Sequence, residues 1–316
     1  MHVAVIGGTG HVGTYLVPRL VAGGHEVSVV TRGTRNPYTE HSAWKKVRYV
    51  VIDREAAESR GEFASALSEL AADVVIDLIC FSKESAQRLV EALDGHLQHY
   101  LACGTIWVHG HSEQVPTTEE ATKRPFGEYG IKKAEMEAYL LDKARRDGFP
   151  ATVIHPGHIV GKGWAPLNPE GHFATRVWSD IRAGRPITVP NLGLETVHHV
   201  HADDVARLFM AAMARWSTSV GESFHAVSPQ ALTLRGYAEA AYRWFAHEPE
   251  VELVPWQTRK TQVSEREAAY IWDHIAHSPS CSTAKAERLL AFAPRYSSLD
   301  AVYESVLWLI DHGRLE

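Results

Sequence analysis

A chain of 316 residues that is 45% hydrophobic can bury one large core, or a main domain with a smaller partner against it. Its net charge of −6 and pI near 6.3 leave no basic excess of the kind that a nucleic-acid backbone or a polybasic membrane anchor requires, so neither is expected as a partner. Three widely spaced cysteines, Cys80, Cys103 and Cys281, fit neither a disulfide framework nor a zinc knuckle, and a reducing cytoplasm is the expected location.

The first apolar run, residues 3–6, leads directly into a glycine turn, and no secretory leader is expected. No uninterrupted apolar stretch approaches the roughly 18 residues that span a bilayer. Short β-branched runs recur at 3–6, 27–31, 47–52, 74–78, 99–103 and 152–155, with helical stretches between them. That alternation predicts an α/β fold, a Rossmann-type doubly wound parallel sheet over residues 1–155, with its ligand crevice at the carboxyl ends of the strands. After His155 the breakers Pro156-Gly157, Gly161-Lys162-Gly163 and Pro166-Leu167-Asn168-Pro169 interrupt the pattern. Residues 156–316 then read mainly as a smaller mixed α/β substrate-binding lobe, with some later segments contributing strands and helices to the first domain; helices are expected near 203–215, 233–246, 264–275 and 297–312 and short strands near 187–189 and 222–226. Asp203 and Asp204 are expected to cap the first of those helices.

The turn Gly7-Gly8-Thr9-Gly10-His11-Val12-Gly13 follows a strand and opens a helix whose apolar face runs through Val12, Leu16, Val17 and Leu20. Side chains at a tight turn block backbone approach to a pyrophosphate, whereas a helix amino terminus offers free N–H groups and partial positive charge. Gly7, Thr9, Gly10, His11, Val12 and Gly13 are therefore the candidate phosphate cradle of a dinucleotide. The second strand ends Val29-Val30-Thr31-Arg32-Gly33, without the carboxylate that bonds the ribose 2′-hydroxyl of NAD. Arg32 and Arg35 instead suit a 2′-phosphate beside Thr31, which favours NADP over NAD. Asp53, ending the third strand, either accepts from the adenine amino group or caps the helix that begins at Arg54. Leu78 and Pro156, where the fourth and sixth strands end, are expected to line the same crevice.

Tyr129 and Lys133 stand at i and i+4 of one helix face, where an ammonium favours the phenolate and brings the phenol towards acid/base work. With Leu101-Ala102-Cys103-Gly104-Thr105-Ile106-Trp107-Val108-His109-Gly110 before them, the order of motifs resembles that of extended short-chain dehydrogenases, in the NAD(P)-dependent epimerase/dehydratase family. His155-Pro156-Gly157-His158-Ile159-Val160-Gly161, Val200-His201-Ala202-Asp203-Asp204-Val205-Ala206 and Gly221-Glu222-Ser223-Phe224-His225 are similar to later family segments. The resemblance implies that Thr105 orients the substrate oxygen, Tyr129 transfers the proton, and Lys133 binds the nicotinamide ribose and lowers the tyrosine pKa. It also implies a homodimer through a bundle that includes the Tyr129 helix.

Two positions depart from the family's nucleotide-sugar enzymes: His158 and Val197 stand where an asparagine and an arginine hold the substrate diphosphate. A small sugar-like or other carbonyl or secondary-alcohol substrate is favoured instead. Of the nineteen histidines, His198, His199 and His201 lie on one strand with alternating faces and no completing ligands, so no metal site is expected. His109, His158 and His199 are candidate partners for substrate hydroxyls, and Trp107 is a candidate stacking surface. The competing reading is a non-catalytic NAD(P)-sensing or RNA-associated protein on the same fold, since fold alone does not set function.

Overall fold

The computed structural model describes residues 1–315. Its centre is a seven-stranded parallel sheet. Six strands come from the first half of the chain: β1 (His2–Ile6), β2 (Glu26–Thr31), β3 (Arg48–Val51), β4 (Val74–Asp77), β5 (His99–Cys103) and β6 (Ala151–Pro156). The seventh, Ser223–Ala226, lies outside β6, giving the order Ser223–Ala226, β6, β5, β4, β1, β2, β3. The chain runs outward from β1 through β2 to β3 and then returns to β4 on the other side of β1, so the loops after β1 and β4 diverge and open a crevice between them.

Alternation along β1 divides the interior in two. Val3 and Val5 join Leu16, Val17, Leu20, Phe209 and Phe224 on one face, while Ala4 and Ile6 join Leu89, Val90, Met136 and Leu140 on the other. The first face is covered by α1 (His11–Ala22) and the helix Ala202–Ala214; the second receives α2 (Arg54–Ser59), α3 (Phe63–Ser68), α4 (Lys83–Leu93) and α5 (Gly127–Arg146). Each fully buried Leu or Phe contributes about 1.5–3 kcal/mol by leaving water. Apolar side chains on both faces are what make these strands continuous hydrophobic runs.

A second core, around Trp178, Tyr237, Tyr242, Ile271 and Val306, holds the smaller lobe. The helices Leu234–Trp244, Glu265–His277 and Ser298–Asp311 fall within a few residues of the spans expected from apolar periodicity. Ser223–Ala226 and Ala202–Ala214 are the later segments that join the large sheet and its cover. Phe224 and Phe209 are fully buried against the sheet, and an apolar run carries no mark of which sheet it will extend. The amino terminus of Ala202–Ala214 is capped by His201, whose Nδ1 accepts from the Asp203 N–H. Asp203 is instead paired with Arg19, and the fully buried Asp204 accepts from the backbone N–H groups of Arg295 and Tyr296, tying the carboxyl-terminal segment to the sheet. Among the described residues, no helix is long and apolar enough to cross a membrane.

Candidate active site

The glycine turn is forced by close backbone contacts. Gly7 has φ +78°, a region that side chains disfavour, and a Cβ on Gly13 would lie 2.1 Å from the Gly8 carbonyl oxygen. Gly10 stands at the N-cap of α1 and offers no side-chain cap, and the first turn carries no acidic residue, so the leading N–H groups and positive dipole end of the helix are left for an outside anion. Gly7, Thr9 and Gly10 line a cleft of about 640 Å³, and Thr31, Arg32, Arg35 and Asp53 line the same cleft from β2 and β3. The Thr9 and Thr31 hydroxyls meet at 2.9 Å across its floor.

His11, Val12 and Gly13 do not line this cleft. Val12 belongs to the core, and His11 is buried and stacked on Trp164 with ring centroids 4.9 Å apart. Asp53 caps α2, accepting from the Ala56 N–H at 3.0 Å, while also bordering the cleft. Leu78 packs on the core and its neighbour Ile79 lines the cleft; Pro156 is buried in β6, opposite Ala226. Sequence reasoning missed Arg54, at the cleft wall. Its Nη1 holds the buried Asp77 carboxylate at 2.8 and 2.9 Å and its Nε holds Glu58, yet Nη2 is buried with no partner. An uncapped helix mouth, a cradle that any Cβ would fill, and an unpaired guanidinium N–H together fit an anionic dinucleotide.

Two further residues expected at the site, Tyr129 and Lys133, lie along α5. Lys133 is 1% exposed, and its Nζ donates to the Cys80 and Cys103 carbonyls at 2.7 and 2.6 Å. Burial moves the Lys133 pKa down. Tyr129, one turn earlier, is 44% exposed, with its ring 6.5 Å from Phe81 and 6.1 Å from Trp107. Desolvation raises the Tyr129 pKa, Cys103 adds to the rise, and the hydrogen bond with the Thr105 hydroxyl works against it. This differs from the expected acidified phenol. Lys133 commits its charge to two carbonyl dipoles, with its Nζ 5.9 Å from the Tyr129 ring centre, and burial of the phenol prevails. The Tyr129 phenol is therefore protonated near neutral pH.

Trp107 faces Tyr129 from the short helix Ile106–His109 and meets His158 at 6.0 Å and His274 at 5.3 Å, while His277 stacks on it at 4.2 Å. Phe173 and Tyr270 extend this aromatic wall outward. Burial keeps the imidazoles uncharged: His158 is held well below its ordinary value, and His274 and His277 are lowered to about 4. Tyr270, His274 and His277 share one face of the helix Glu265–His277, a spacing legible in sequence although no motif marks it. The other two expected imidazoles lie elsewhere. His109 turns inward, its Nε2 2.8 Å from that of His225, and His199 is fully buried behind His158 and against Tyr237. His198 bonds the Ser228 carbonyl and the Cys281 N–H, and His201 bonds Glu304.

With a parallel sheet, a glycine cradle at its crevice, and a tyrosine and lysine one turn apart beside it, the architecture is that of a dinucleotide-dependent enzyme. The chain belongs to the NAD dependent epimerase/dehydratase family, whose model matches residues 3–225. It is 27% identical over 99% of its length to a chloroplast stem-loop binding protein of 41 kDa from Arabidopsis thaliana, of which the match covers 79%. A 2'-dehydrokanamycin reductase from Streptomyces kanamyceticus is 25% identical, with 100% of this chain and 86% of the relative covered. Among solved structures, a UDP-glucose 4-epimerase from Thermotoga maritima with UDP-glucose superposes with a TM-score of 0.75 at 18% identity, covering 99% of both chains. A UDP-glucuronic acid 4-epimerase from Bacillus cereus, in complex with UDP-glucuronic acid and NAD, gives 0.74 at 15% identity over 99% of this chain and 100% of that one.

Proposed function

We propose that this protein is an NADP(H)-dependent reductase of a ring ketone in a hydroxylated, diphosphate-free substrate. The observation that carries the reading is the wall beside Tyr129, where Trp107, His158 and His274 bring neutral rings. Neutral imidazoles hydrogen-bond hydroxyl groups without attracting a diphosphate. A bound reduced nicotinamide supplies the hydride. The backbone of Gly7–Gly13 carries the phosphates, Arg32 and Arg35 hold the 2′-phosphate, Thr105 orients the carbonyl oxygen, and Tyr129 gives its hydroxyl proton to that oxygen as it becomes an alcohol. The Streptomyces relative, named as a reductase, supports this direction.

The exposed Ile131 on α5 supports a homodimer through that helix, and the three free, buried cysteines suit a reducing compartment. The Arabidopsis relative named for stem-loop binding raises an RNA reading, against which the net charge of −6 weighs.

The test is coenzyme consumption, followed by loss of nicotinamide absorbance, with keto-cyclitols, keto-sugars and ketones of aminoglycosides. Net oxidation of NADPH with one of these ring ketones supports the reading. Interconversion of epimers without net consumption assigns epimerisation instead. Charge-assisted hydrogen bonds contribute about 1.5–3 kcal/mol each, so R32A/R35A is expected to raise the KM for NADPH at least tenfold and leave that for NADH within about twofold. Equal effects on both coenzymes would remove the 2′-phosphate role.

A further inference from the structure

We propose that Glu137 and His155 form a buried positioning pair that sets the place of Thr105 relative to Tyr129. The proposal rests on the assignment of Thr105 and Tyr129 made above. Tyr129, Lys133 and Glu137 recur at i, i+4 and i+8 of α5 and so form one stripe facing the end of β5. Each bears on the turn 103–105 in a different way. Lys133 donates to the Cys103 carbonyl at 2.6 Å, and the Thr105 side chain works against the burial that raises the Tyr129 pKa. Glu137 acts through His155, whose Nε2 lies 2.9 Å from Glu137 Oε1 and whose Nδ1 lies 2.9 Å from the Thr105 backbone nitrogen.

The tautomer follows from the partners. A backbone N–H only donates, so Nδ1 of His155 is the bare nitrogen and Nε2 carries the proton towards the carboxylate. Burial alone pushes the Glu137 carboxyl up, but His155 and Lys123, whose Nζ is 2.5 Å away, more than reverse this and hold it well below the usual carboxylate range. Both members of the pair are about 1% exposed at the side chain. A desolvated carboxylate is costly without partners; here Oε1 takes both the Lys123 and the His155 contacts while Oε2 is buried with none, and the His155 contact leads to the backbone of the hydroxyl-bearing turn.

Gly104 shows that the turn and the ring are fitted to each other. A Cβ there would lie 2.4 Å from His155 Nδ1 and 2.7 Å from Cε1, so only glycine lets the imidazole close on the Thr105 N–H. The turn that bears the Thr105 hydroxyl is thus referred to the helix that bears Tyr129 through two links, Lys133 to the Cys103 carbonyl and Glu137 through His155 to the Thr105 N–H. Misplacement of such groups by about 1 Å can cost on the order of a hundredfold in rate.

The test reads amide exchange at Thr105 and the titration of Tyr129 in protein carrying ¹³C-labelled tyrosine, both without substrate. H155L is expected to speed Thr105 exchange about a hundredfold and to raise the Tyr129 titration further, because the Thr105 hydrogen bond no longer opposes burial. H155N, which restores an acceptor near the Nδ1 position, is expected to recover most of both effects. If H155L does not fold, G104A, which drives the ring off the turn from the other side, is read in the same way. Unchanged exchange and titration in the folded variant overturn the proposal, as does failure of H155N to recover either. A Y129F variant with full activity would instead remove the catalytic reading while leaving the exchange result standing.

Discussion

Tyr129→Phe is expected to slow hydride transfer from NADPH to a ketone substrate by about a hundredfold to ten-thousandfold, a loss of roughly 3–5 kcal/mol of transition-state stabilisation. The substitution removes one oxygen and leaves the ring in place against Trp107 and Phe81. Lys133 is held by the Cys80 and Cys103 carbonyls independently of the phenol, so coenzyme affinity is expected to stay within about twofold. Single-turnover rates and coenzyme dissociation constants separate the two effects. The pH profile adds a sign. The Tyr129 pKa lies above the ordinary 10, so the protonated donor persists through the alkaline range and reduction loses no rate to its ionisation below pH 10. A Phe variant that keeps half the normal rate would place the proton donor elsewhere.

The second large effect is on stability in mild acid. Burial lowers His11 and His199 to about 3, and His99, His109, His198, His274 and His277 to about 4, from an ordinary value of 6.5. Each folded value lies below its unfolded one, so between the two the unfolded chain binds more protons and stability rises with pH. Every such histidine withdraws up to about 1.4 kcal/mol per pH unit as pH falls below 6.5, until its own folded value is reached. Together they remove several kcal/mol by about pH 5.5, a large part of the roughly 5–15 kcal/mol that holds a typical domain. Urea unfolding at pH 7.5, 6.5 and 5.5 is expected to show a fall of about 2 kcal/mol over the first step and a larger fall, of at least about 4 kcal/mol, over the second. A flat response would mean that these imidazoles accept protons in the folded state.

The elements that could be read in advance are those whose causes are local. A glycine cradle announces itself because each residue is constrained by atoms a few positions away, as Gly13 is by Gly8. Helices such as Ser298–Asp311 follow from apolar period and a serine cap. The rest depends on partners distant in the chain. His109 and His158 both flank the Tyr129 region in sequence terms, yet His109 is turned inward by His225, 116 residues away, while His158 reaches Trp107. Tyr129/Lys133 spacing locates the pair, but the direction of the phenol's shift depends on the carbonyls that claim Lys133. Arg54 reads as the first residue of a helix until Asp77, at the end of β4 and with two strands between it and β3 in the sheet, draws it to the cleft wall.

The most direct test of this account is calorimetric titration of NADP⁺ and NAD⁺ into the folded protein, beside a G13V variant whose side chain would strike the Gly8 carbonyl. The account predicts saturable binding of one dinucleotide per chain, tighter for NADP⁺, and no binding by the variant. A folded wild-type protein that takes up neither coenzyme would contradict it.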